Sequence, residues 1–326
     1  MSSGTLVNPG SLEKGVSITS QPDETYAMPQ QKAEVSPSLI EQMANVRTGR
    51  DRSMGAILID SGKITAADAE RVLRLQEEQG LRFGDAAKQL GLVTEEDIAQ
   101  ALSRQYDYPY LTRGESAVSG EVIAAYSPFS PPVEALRALR SQLMLRWFDE
   151  DLEHRTLAIT SSSQGEGRSW LTANLGVVFS QLGQRTLIID ADLRRPRQHN
   201  LFGVANRSGL SALLSGREGG SVVQRVPSLL DLSVLTAGPV PPNPQELLAR
   251  PNFSKLLADF GKQYDVILID TPAGSQYADG QTIAVRASGA LIVAQTHASR
   301  LGLIRSYADV LRQATVTVVG TVLLER

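Results

Sequence analysis

Cysteine is absent from all 326 residues, and histidine occurs only three times, at scattered positions. Disulfide bonds and thiolate metal sites are therefore excluded, and a histidine metal cluster is not expected. No apolar run approaches the roughly 20 residues that a membrane-spanning helix needs. No apolar stretch follows a charged N-terminal segment, so a secretory signal is not expected either. These absences predict a cytoplasmic protein with no membrane span of its own.

A strong excess of one charge is also missing, since 32 basic and 35 acidic residues leave a net charge of −3. This balance gives no reason to expect nucleic acid as a partner. The apolar fraction of 42% is sufficient for a buried core. The length predicts either one large domain or two of ordinary size.

The stretch from Leu157 to Leu193 has the pattern of strand, glycine-bearing turn, helix and strand. Gly165 and Gly167 lie in the turn, where the lack of a Cβ lets backbone N–H groups approach a phosphate. The helix begins at Arg168, and a helix N-terminus favours an anion. The predicted nucleotide-binding residues are Gly165, Glu166, Gly167, Arg168, Ser169 and Trp170.

Three aspartates stand at or just beyond the ends of predicted buried strands. Asp190 and Asp192 follow the strand at 185–189, and Asp270 ends the strand within 264–272. The carboxyl ends of parallel strands border the crevice in which ligands bind. Together with the Ser169 hydroxyl, these acids predict a nucleotide and magnesium site. The alternative is a glycine turn with a purely structural role.

The turn departs from the P-loop consensus at two positions. The consensus places lysine before the Ser/Thr, whereas this chain has Arg168, and Ser162 replaces the first glycine. Arginine is always charged and can donate to two phosphate oxygens, but it is bulkier than a lysine ammonium.

Residues 52–110 contain an internal repeat with an offset of 29 residues. Gly55, Gly62, Ile64, Thr65, Asp68, Leu73 and Gln76 recur as Gly84, Gly91, Val93, Thr94, Asp97, Leu102 and Gln105. In each copy the Thr-x-x-Asp sequence can form a capping box. Because neither copy could bury its apolar face alone, the repeat predicts a small all-α domain at 49–112. A flexible tail is predicted at 1–48, a linker at 113–130 and the nucleotide-binding domain at 131–326.

The repeat resembles the N-terminal domains of type II secretion and type IV pilus ATPases. In one branch of that family, tandem repeats bind cyclic di-GMP, and the matching residues here are Arg52, Gly55, Arg82 and Gly84. A docking or structural helical module is the alternative. Tyr106, Tyr108 and Tyr110 follow the second copy and are interpreted as packing residues rather than phosphate acceptors.

Strands alternating with helices after residue 155 predict a doubly wound, mostly parallel sheet, and hence an α/β fold. The segment Val133–Phe148 before it has helical spacing. Glu134, Arg137 and Arg140 recur there at steps of three residues. This stripe is either a self-association face or a solvated surface.

Four motifs together resemble the bacterial tyrosine kinase family, which is related to the MinD/ParA ATPases. They are LIIDADLR at 187–194, ILIDTP at 267–272, EALRALR at 134–140 and TAGPVPPNPQELL at 236–248. With the N-terminal repeat, the chain most resembles the EpsG-type chain-length-determinant tyrosine kinases of exopolysaccharide operons.

This resemblance implies ATP- and Mg²⁺-dependent tyrosine autophosphorylation, with a membrane-bound chain-length regulator as activator. The protein would then lie at the inner membrane through that partner and form a homo-oligomeric ring through Glu134, Arg137 and Arg140. The implied metal residues are Ser169, Asp190 and Asp270, and the implied catalytic residues are Asp190, Asp192 and Arg168. Positioning and charge neutralisation carry most of the catalysis in phosphoryl transfer.

Two classes of function stay open at this stage. One is an active kinase, which the intact acids favour. The other is a nucleotide-gated regulatory subunit that binds ATP without phosphorylating tyrosine. Arg168 favours the second class, as does the end of the sequence at Arg326, directly after a predicted strand and without the tyrosine cluster of many relatives.

Overall fold

The computed structural model describes residues 4–7, 15–18, 53–105, 111–112, 114, 116–148, 154–217, 222–227, 229 and 231–325. The chain divides into two compact units, one of residues 21–112 and one of residues 1–20 with 113–326. Arg52 and the tyrosines at 106, 108 and 110 lie outside the described residues, so the predictions made for them stay predictions. Within the described ranges, no helix has both the length and the apolar character needed to cross a bilayer.

Four helices carry the internal repeat. They are α1 (Met54–Asp60), α2 (Ala66–Gln79), α3 (Phe83–Gln89) and α4 (Glu95–Gln105). At the start of α2, Thr65 Oγ1 accepts from the Asp68 N–H at 3.2 Å, and the Asp68 carboxylate accepts from the Thr65 N–H at 3.1 Å. Thr94 and Asp97 repeat both bonds at α4. Both predicted capping boxes are therefore confirmed.

The repeated glycines allow the two copies to pack closely on each other. A Cβ on Gly55 would lie 3.1 Å from the Phe83 ring, and one on Gly84 would lie 3.4 Å from the Met54 sulfur. Since Met54 and Phe83 each precede a repeat glycine, the two contacts are reciprocal. Both glycines are buried, whereas Arg82 is exposed. These contacts account for the glycines without a ligand, and cyclic di-GMP binding stays a prediction.

The described strands of the other unit form a single sheet. The strands are β1 (Gly4–Val7), β2 (Gly15–Ile18), β3 (Thr156–Ser161), β4 (Thr186–Asp190), β5 (Val223–Arg225), β6 (Leu232–Leu235), β7 (Val266–Asp270), β8 (Gly289–Gln295) and β9 (Thr317–Leu324). The helices are α5 (Ile123–Tyr126), α6 (Pro131–Arg146), α7 (Arg168–Ser180), α8 (Gln198–Phe202), α9 (Leu210–Ser215), α10 (Pro244–Ala249), α11 (Pro251–Gly261), α12 (Asp279–Ala287) and α13 (Leu301–Gln313).

The strand order is β2-β1-β9-β8-β3-β7-β4-β6-β5. Strands β9, β8, β3, β7, β4 and β6 run parallel to one another, while β5 joins β6 antiparallel at one edge. The central strands are fully buried, as expected where helices cover both faces of a parallel sheet. The predicted doubly wound, mostly parallel sheet is confirmed.

Strands β1 and β2 differ from the flexible tail predicted for residues 1–48. Strand β1 pairs antiparallel with β9, from Gly4 opposite Leu324 to Val7 opposite Thr321, and β2 pairs with β1. Without β1, β9 would be an edge strand with unpaired N–H and C=O groups. The added strand β1 can satisfy these groups. The rest of the predicted tail lies outside the described residues.

Trp147 joins α6 to the sheet. Its Nε1 donates to the Thr156 carbonyl at 2.9 Å, and its ring stacks on His154 with centroids 4.0 Å apart. The ring also fills the space next to Gly289, where a Cβ would lie 2.2 Å from it. Helix α6 in turn packs on α7, which begins at the glycine turn. Trp147 thus helps to fix the layer of helices that supports the turn.

We expect Gly289→Ala to lower the free energy of unfolding by about 1–3 kcal/mol, because the new methyl group must displace a rigid indole ring. Urea unfolding followed by tryptophan fluorescence measures this, since Trp147 and Trp170 both belong to the sheet unit. Gly302→Ala is the matched control, because a Cβ there meets no atom within 4 Å. Equal stability of the two variants would contradict this role of Gly289.

Candidate nucleotide and metal site

Residues 162–167 form the turn that joins β3 to α7. Gly165 and Gly167 have φ values of +82° and +93°, which favour glycine. A Cβ on Gly167 would also lie 2.5 Å from Leu324 Cδ1, so a side chain here would require the Leu324 side chain to move. The turn therefore has the conformation that the sequence predicted, and it delivers the chain to the N-terminus of α7.

A cavity of about 420 Å³ opens at this N-terminus. Its lining includes five of the six predicted nucleotide-binding residues, together with the loop that follows β4. The lining residues are Gln164, Gly165, Gly167, Arg168, Ser169, Trp170, Asp192, Arg195, Pro196 and Arg197. Glycine backbone, a helix N-terminus and two exposed arginines give this cavity the chemistry of an anion site.

Glu166, the sixth predicted residue, does not line the cavity. Its buried carboxylate accepts from the Ser163 N–H at 2.6 Å and from the Ser299 hydroxyl. The Ser299 hydroxyl also accepts from the N–H of Gln295, at the end of β8. Glu166 therefore holds the turn against the segment after β8, which is a structural role.

The Arg168 side chain bonds within the protein. Its Nε donates to the Thr271 carbonyl at 2.8 Å, and its Nη1 donates to the Ser163 carbonyl at 2.8 Å and to the Ser161 hydroxyl. The guanidinium is nearly buried and connects the glycine turn with the segment after β7. Arg168 could donate to two phosphate oxygens only if these bonds were to rearrange.

Asp190 and Asp270 lie side by side at the ends of β4 and β7, as partners in the parallel register. Both are fully buried. Asp190 Oδ2 accepts from the N–H groups of Arg197 and Gln198, each at 2.9 Å. Asp270 Oδ2 accepts from Gln198 Nε2 at 2.8 Å. The other carboxylate oxygen of each, Oδ1, accepts no hydrogen bond from any described residue.

Burial disfavours the charged form of both carboxyls. Burial, followed by the neighbouring Asp270 charge, raises the pKa of Asp190 well above its usual value. Burial also raises the pKa of Asp270 to about 6, although hydrogen bonds from Gln198 and Ser169 act in the opposite direction. A cation near these oxygens would favour the charged forms and displace the protons.

Buried carboxylate oxygens that lack a donor among the described residues, with the Ser169 hydroxyl beside Asp270, fit a hard divalent cation such as Mg²⁺. The described residues contain no group of three or more His, Cys, Asp or Glu side chains placed to hold a metal ion alone. Water or phosphate oxygens would have to complete the coordination, which is the usual situation for Mg²⁺. Ser169, Asp190 and Asp270 are the residues that would hold it.

Asp192 occupies a different position, on the lining of the cavity. Its Oδ1 accepts from the backbone N–H groups of Arg194 and Arg195, at 3.2 and 2.9 Å. These bonds fix its carboxyl group at the start of the basic loop, the Arg-Arg-Pro-Arg segment at 194–197. Of the three predicted acids, Asp190 and Asp270 are therefore fully buried, and Asp192 lines the cavity.

The basic loop is tied to its surroundings by contacts that the sequence did not reveal. Arg194 forms an ion pair with buried Asp279, at 2.7 Å, and stacks 3.8 Å above the Tyr277 ring. Arg197 pairs with Glu121 at 2.7 Å. Asp279 is the first residue of α12, and acids are favoured in the first turn of a helix. Its position was therefore a weak signal in the sequence for a placed carboxylate. Gln198 carried no signal of its own.

The predicted self-association stripe on α6 is split by the fold. Glu134 and Arg137 pair with each other at 2.8 Å on the outer face of the helix. Arg140 instead donates to the Val178 carbonyl of α7 at 2.8 Å, within the same chain. A self-association face through these residues stays a prediction.

Comparison with known proteins places the chain in a family. It is 36% identical over 196 residues to the "Putative tyrosine-protein kinase CapB" of Staphylococcus aureus, covering 60% of this chain and 85% of that protein. The chain belongs to the bacterial tyrosine kinase family. The family resemblance predicted from the motifs is therefore confirmed. No protein-family model matches the sequence.

Two further members of the bacterial tyrosine kinase family show which part is shared. The "Putative tyrosine-protein kinase EpsB" of Ralstonia solanacearum is 36% identical over 201 residues, 62% of this chain but only 26% of that protein. The kinase domain of Escherichia coli tyrosine kinase ETK matches with a TM-score of 0.59 and 34% identity, over 62% of this chain and 78% of that one. Because the match covers only about a quarter of EpsB, the activities and partners of the longer relatives are only proposed for this chain.

We expect Arg168→Lys to lower the free energy of unfolding by about 1–3 kcal/mol, since a shorter single-headed cation cannot keep all of the bonds to Thr271, Ser163 and Ser161. Nucleotide affinity should be preserved or raised, because lysine restores the compact charge of the P-loop consensus. Urea unfolding and titration calorimetry measure the two effects.

Arg185→Lys is the matched control for this substitution. Arg185 lies just before the first residue of β4, whereas Asp190 is the last residue of that strand. The Arg185 guanidinium makes two bonds to Asp265, at 3.0 and 2.6 Å. Its replacement should leave nucleotide affinity unchanged. A clear loss of affinity in Arg168→Lys alone would show instead that the loop is built around arginine.

Proposed function

We propose that this chain is an ATP-dependent protein tyrosine autokinase that works with a membrane-bound chain-length regulator in exopolysaccharide biosynthesis. One observation carries the proposal. Within the described part of the chain, Asp190 and Asp270 are buried with one unpaired oxygen each, Ser169 lies beside Asp270, and Asp192 lines the cavity at the glycine turn. Membership of the bacterial tyrosine kinase family supports this use of the site.

The residues divide the work of phosphoryl transfer. The backbone of the turn, the N-terminus of α7 and the exposed Arg195 bind and orient the phosphates of ATP. Ser169, Asp190 and Asp270 hold Mg²⁺, which when bound supplies neutralisation of the phosphate charge. Binding and positioning of the phosphates carry most of the rate enhancement in such a transfer.

Asp192 is the general base in this scheme. Of the three acids, it alone lines the cavity. The tyrosine oxygen forms a bond to the γ-phosphorus, and the bond from that phosphorus to the β,γ-bridging oxygen breaks, which releases ADP. The phenol proton passes to the Asp192 carboxylate. Asp190 and Asp270 are unsuited to this step, because both side chains are fully buried and neither lines the cavity.

A membrane-bound chain-length regulator as activator follows from the family resemblance. A second cavity, of about 170 Å³, lies between Ser162 of the turn and α13. Tyr277, Leu303 and Val310 line it and are exposed by 41%, 44% and 37%. Exposed apolar side chains grouped beside a site are typical of a protein contact. This surface supports an activator that binds next to the phosphate loop and recruits the protein to the cytoplasmic side of the inner membrane.

A second candidate function is a regulatory subunit that binds ATP without phosphorylating tyrosine. The observation in its favour is the Arg168 guanidinium, which bonds to Thr271, Ser163 and Ser161 rather than standing free for the phosphates. Its N-terminal unit would then serve docking or cyclic di-GMP sensing.

Incubation with γ-labelled ATP and Mg²⁺, with and without the regulator's cytoplasmic tail, separates the two functions. Acid-stable label on tyrosine supports the kinase. Magnesium-dependent ATP binding without label supports the regulatory subunit. A folded protein that binds no nucleotide in calorimetry would refute both.

For the kinase, we expect Asp192→Asn to lower phosphoryl transfer by roughly 100-fold or more, because the amide cannot accept the phenol proton. Nucleotide affinity should stay within about twofold, because the base acts in the transition state. Asp259→Asn is the control, since Asp259 only pairs with Lys262 on an exposed face of α11. Equal losses of transfer and affinity would assign Asp192 to metal binding instead.

We also propose that the protein assembles as a ring through the outer face of α6. Glu134 of the Glu134–Arg137 pair is exposed, and an ion pair at a surface contributes little to the stability of a monomer. We expect Arg137→Ala to shift the protein towards monomer while nucleotide binding survives, as measured by light scattering. Arg312→Ala removes another ion pair between residues three apart on a helix, with Asp309 at 2.9 Å on α13, and should leave the mass unchanged. A wild type that stays monomeric with nucleotide and the regulator tail would contradict the ring.

A further inference from the structure

Gln198 begins α8, directly after the basic loop, and is fully buried between three elements of the site. Its backbone N–H donates to Asp190 Oδ2 at 2.9 Å, on β4. Its Nε2 donates to Asp270 Oδ2 at 2.8 Å, on β7, and to the Ser169 carbonyl at 3.1 Å, on α7. The residue therefore bonds to each of the three residues that would hold Mg²⁺.

The orientation of the Gln198 amide is fixed by its partners. Both neighbours of Nε2 are oxygen acceptors, and an amide nitrogen has two hydrogens to donate. A flipped amide would place oxygen against both of them, so the observed orientation is the favourable one. The amide oxygen Oε1 is consequently held in place, buried and without a donor from any residue in the described part of the chain.

Oε1 is not the only such atom in this cluster. Asp190 Oδ1 and Asp270 Oδ1 are likewise buried and without a donor among the described residues. Buried polar atoms are normally paired, so three unpaired acceptors on three hydrogen-bonded residues need a common explanation. A structural tether explains the two bonds of Nε2 but leaves Oε1 unexplained. A group rich in donors at this place would explain all three oxygens.

We propose that Gln198 is a positioning residue of the magnesium site, which accepts a hydrogen bond from a metal-bound water through Oε1 while its Nε2 orients Asp270. Mg²⁺ keeps several of its waters in protein sites, and those waters donate to nearby acceptors. Groups that bond to the ligands or waters of a metal affect its affinity by about 10–100-fold. The inference rests on the proposed binding of magnesium and nucleotide at this site.

The test compares ADP affinity with Mg²⁺ and with EDTA, by calorimetry on the full chain. Gln198→Met keeps the length of the side chain and removes its hydrogen bonding. We expect the magnesium-dependent gain in ADP affinity to fall by about 10-fold or more, with affinity in EDTA unchanged within about twofold. Gln181→Met is the matched control. Gln181 also tethers two elements, with Nε2 donating to the Ala124 carbonyl at 3.0 Å, but at the far end of α7.

The outcomes separate the inference from the proposed function. A wild type without magnesium-dependent ADP binding would refute the proposed function. A wild type that has it, with an undiminished gain in folded Gln198→Met, would overturn the role of Gln198. So would equal losses of affinity with Mg²⁺ and with EDTA, which indicate a structural tether only.

A second variant keeps the proposal testable if Gln198→Met does not fold. Gln198→Glu retains an oxygen acceptor and replaces the donor by a charge beside Asp270 and Asp190. We expect this variant to melt at a lower temperature than wild type without metal and to bind Mn²⁺ in the presence of ADP at least as tightly, by electron paramagnetic resonance. Weaker Mn²⁺ binding than wild type in the folded variant would contradict an acceptor role at this position.

Discussion

Two carboxylates that are removed from water at the centre of a parallel sheet impose the main constraint on this structure. Asp190 and Asp270 are register partners at the ends of β4 and β7, and the described residues donate hydrogen bonds to only one oxygen of each. Charged groups in such a place are unstable unless a proton or a cation joins them. The surrounding loops, the basic residues and Gln198 are arranged around these two carboxyl groups.

The same constraint explains why the glycine turn is held so firmly by its own side chains. Glu166 binds the turn to the segment after β8, and Arg168 binds it to the segment after β7. Both residues lie in the phosphate-loop motif, yet in this structure they stabilise the turn itself. A turn that is satisfied internally needs no ligand to keep its shape, although a phosphate must compete with the bonds of Arg168. This competition bears directly on whether the chain is a kinase or a regulatory ATP-binding subunit.

Much of the fold was accessible from the sequence because its signals are local. Apolar runs located β3, β4 and β7. The observed ranges 186–190 and 266–270 agree within two residues with the predicted 185–189 and 264–272, and β3 at 156–161 lies where the pattern from Leu157 begins with a strand. The capping boxes at Thr65 and Thr94 were readable for the same reason, since each involves residues three apart. Strands β1 and β2 were missed because their pairing depends on β9, more than 300 residues away along the chain.

The candidate site shows the same division between local pattern and tertiary contact. By itself, the sequence determined the glycine turn, the helix after it and the aspartates at the strand ends, because backbone conformation and strand periodicity depend on neighbouring residues. Only the tertiary structure decided that Arg168 points to a carbonyl 103 residues away, that Arg140 faces α7, and that Gln198 joins Asp190 and Asp270. The direction of a long polar side chain is set by whichever donors and acceptors the fold places within its reach, and no local pattern encodes that choice.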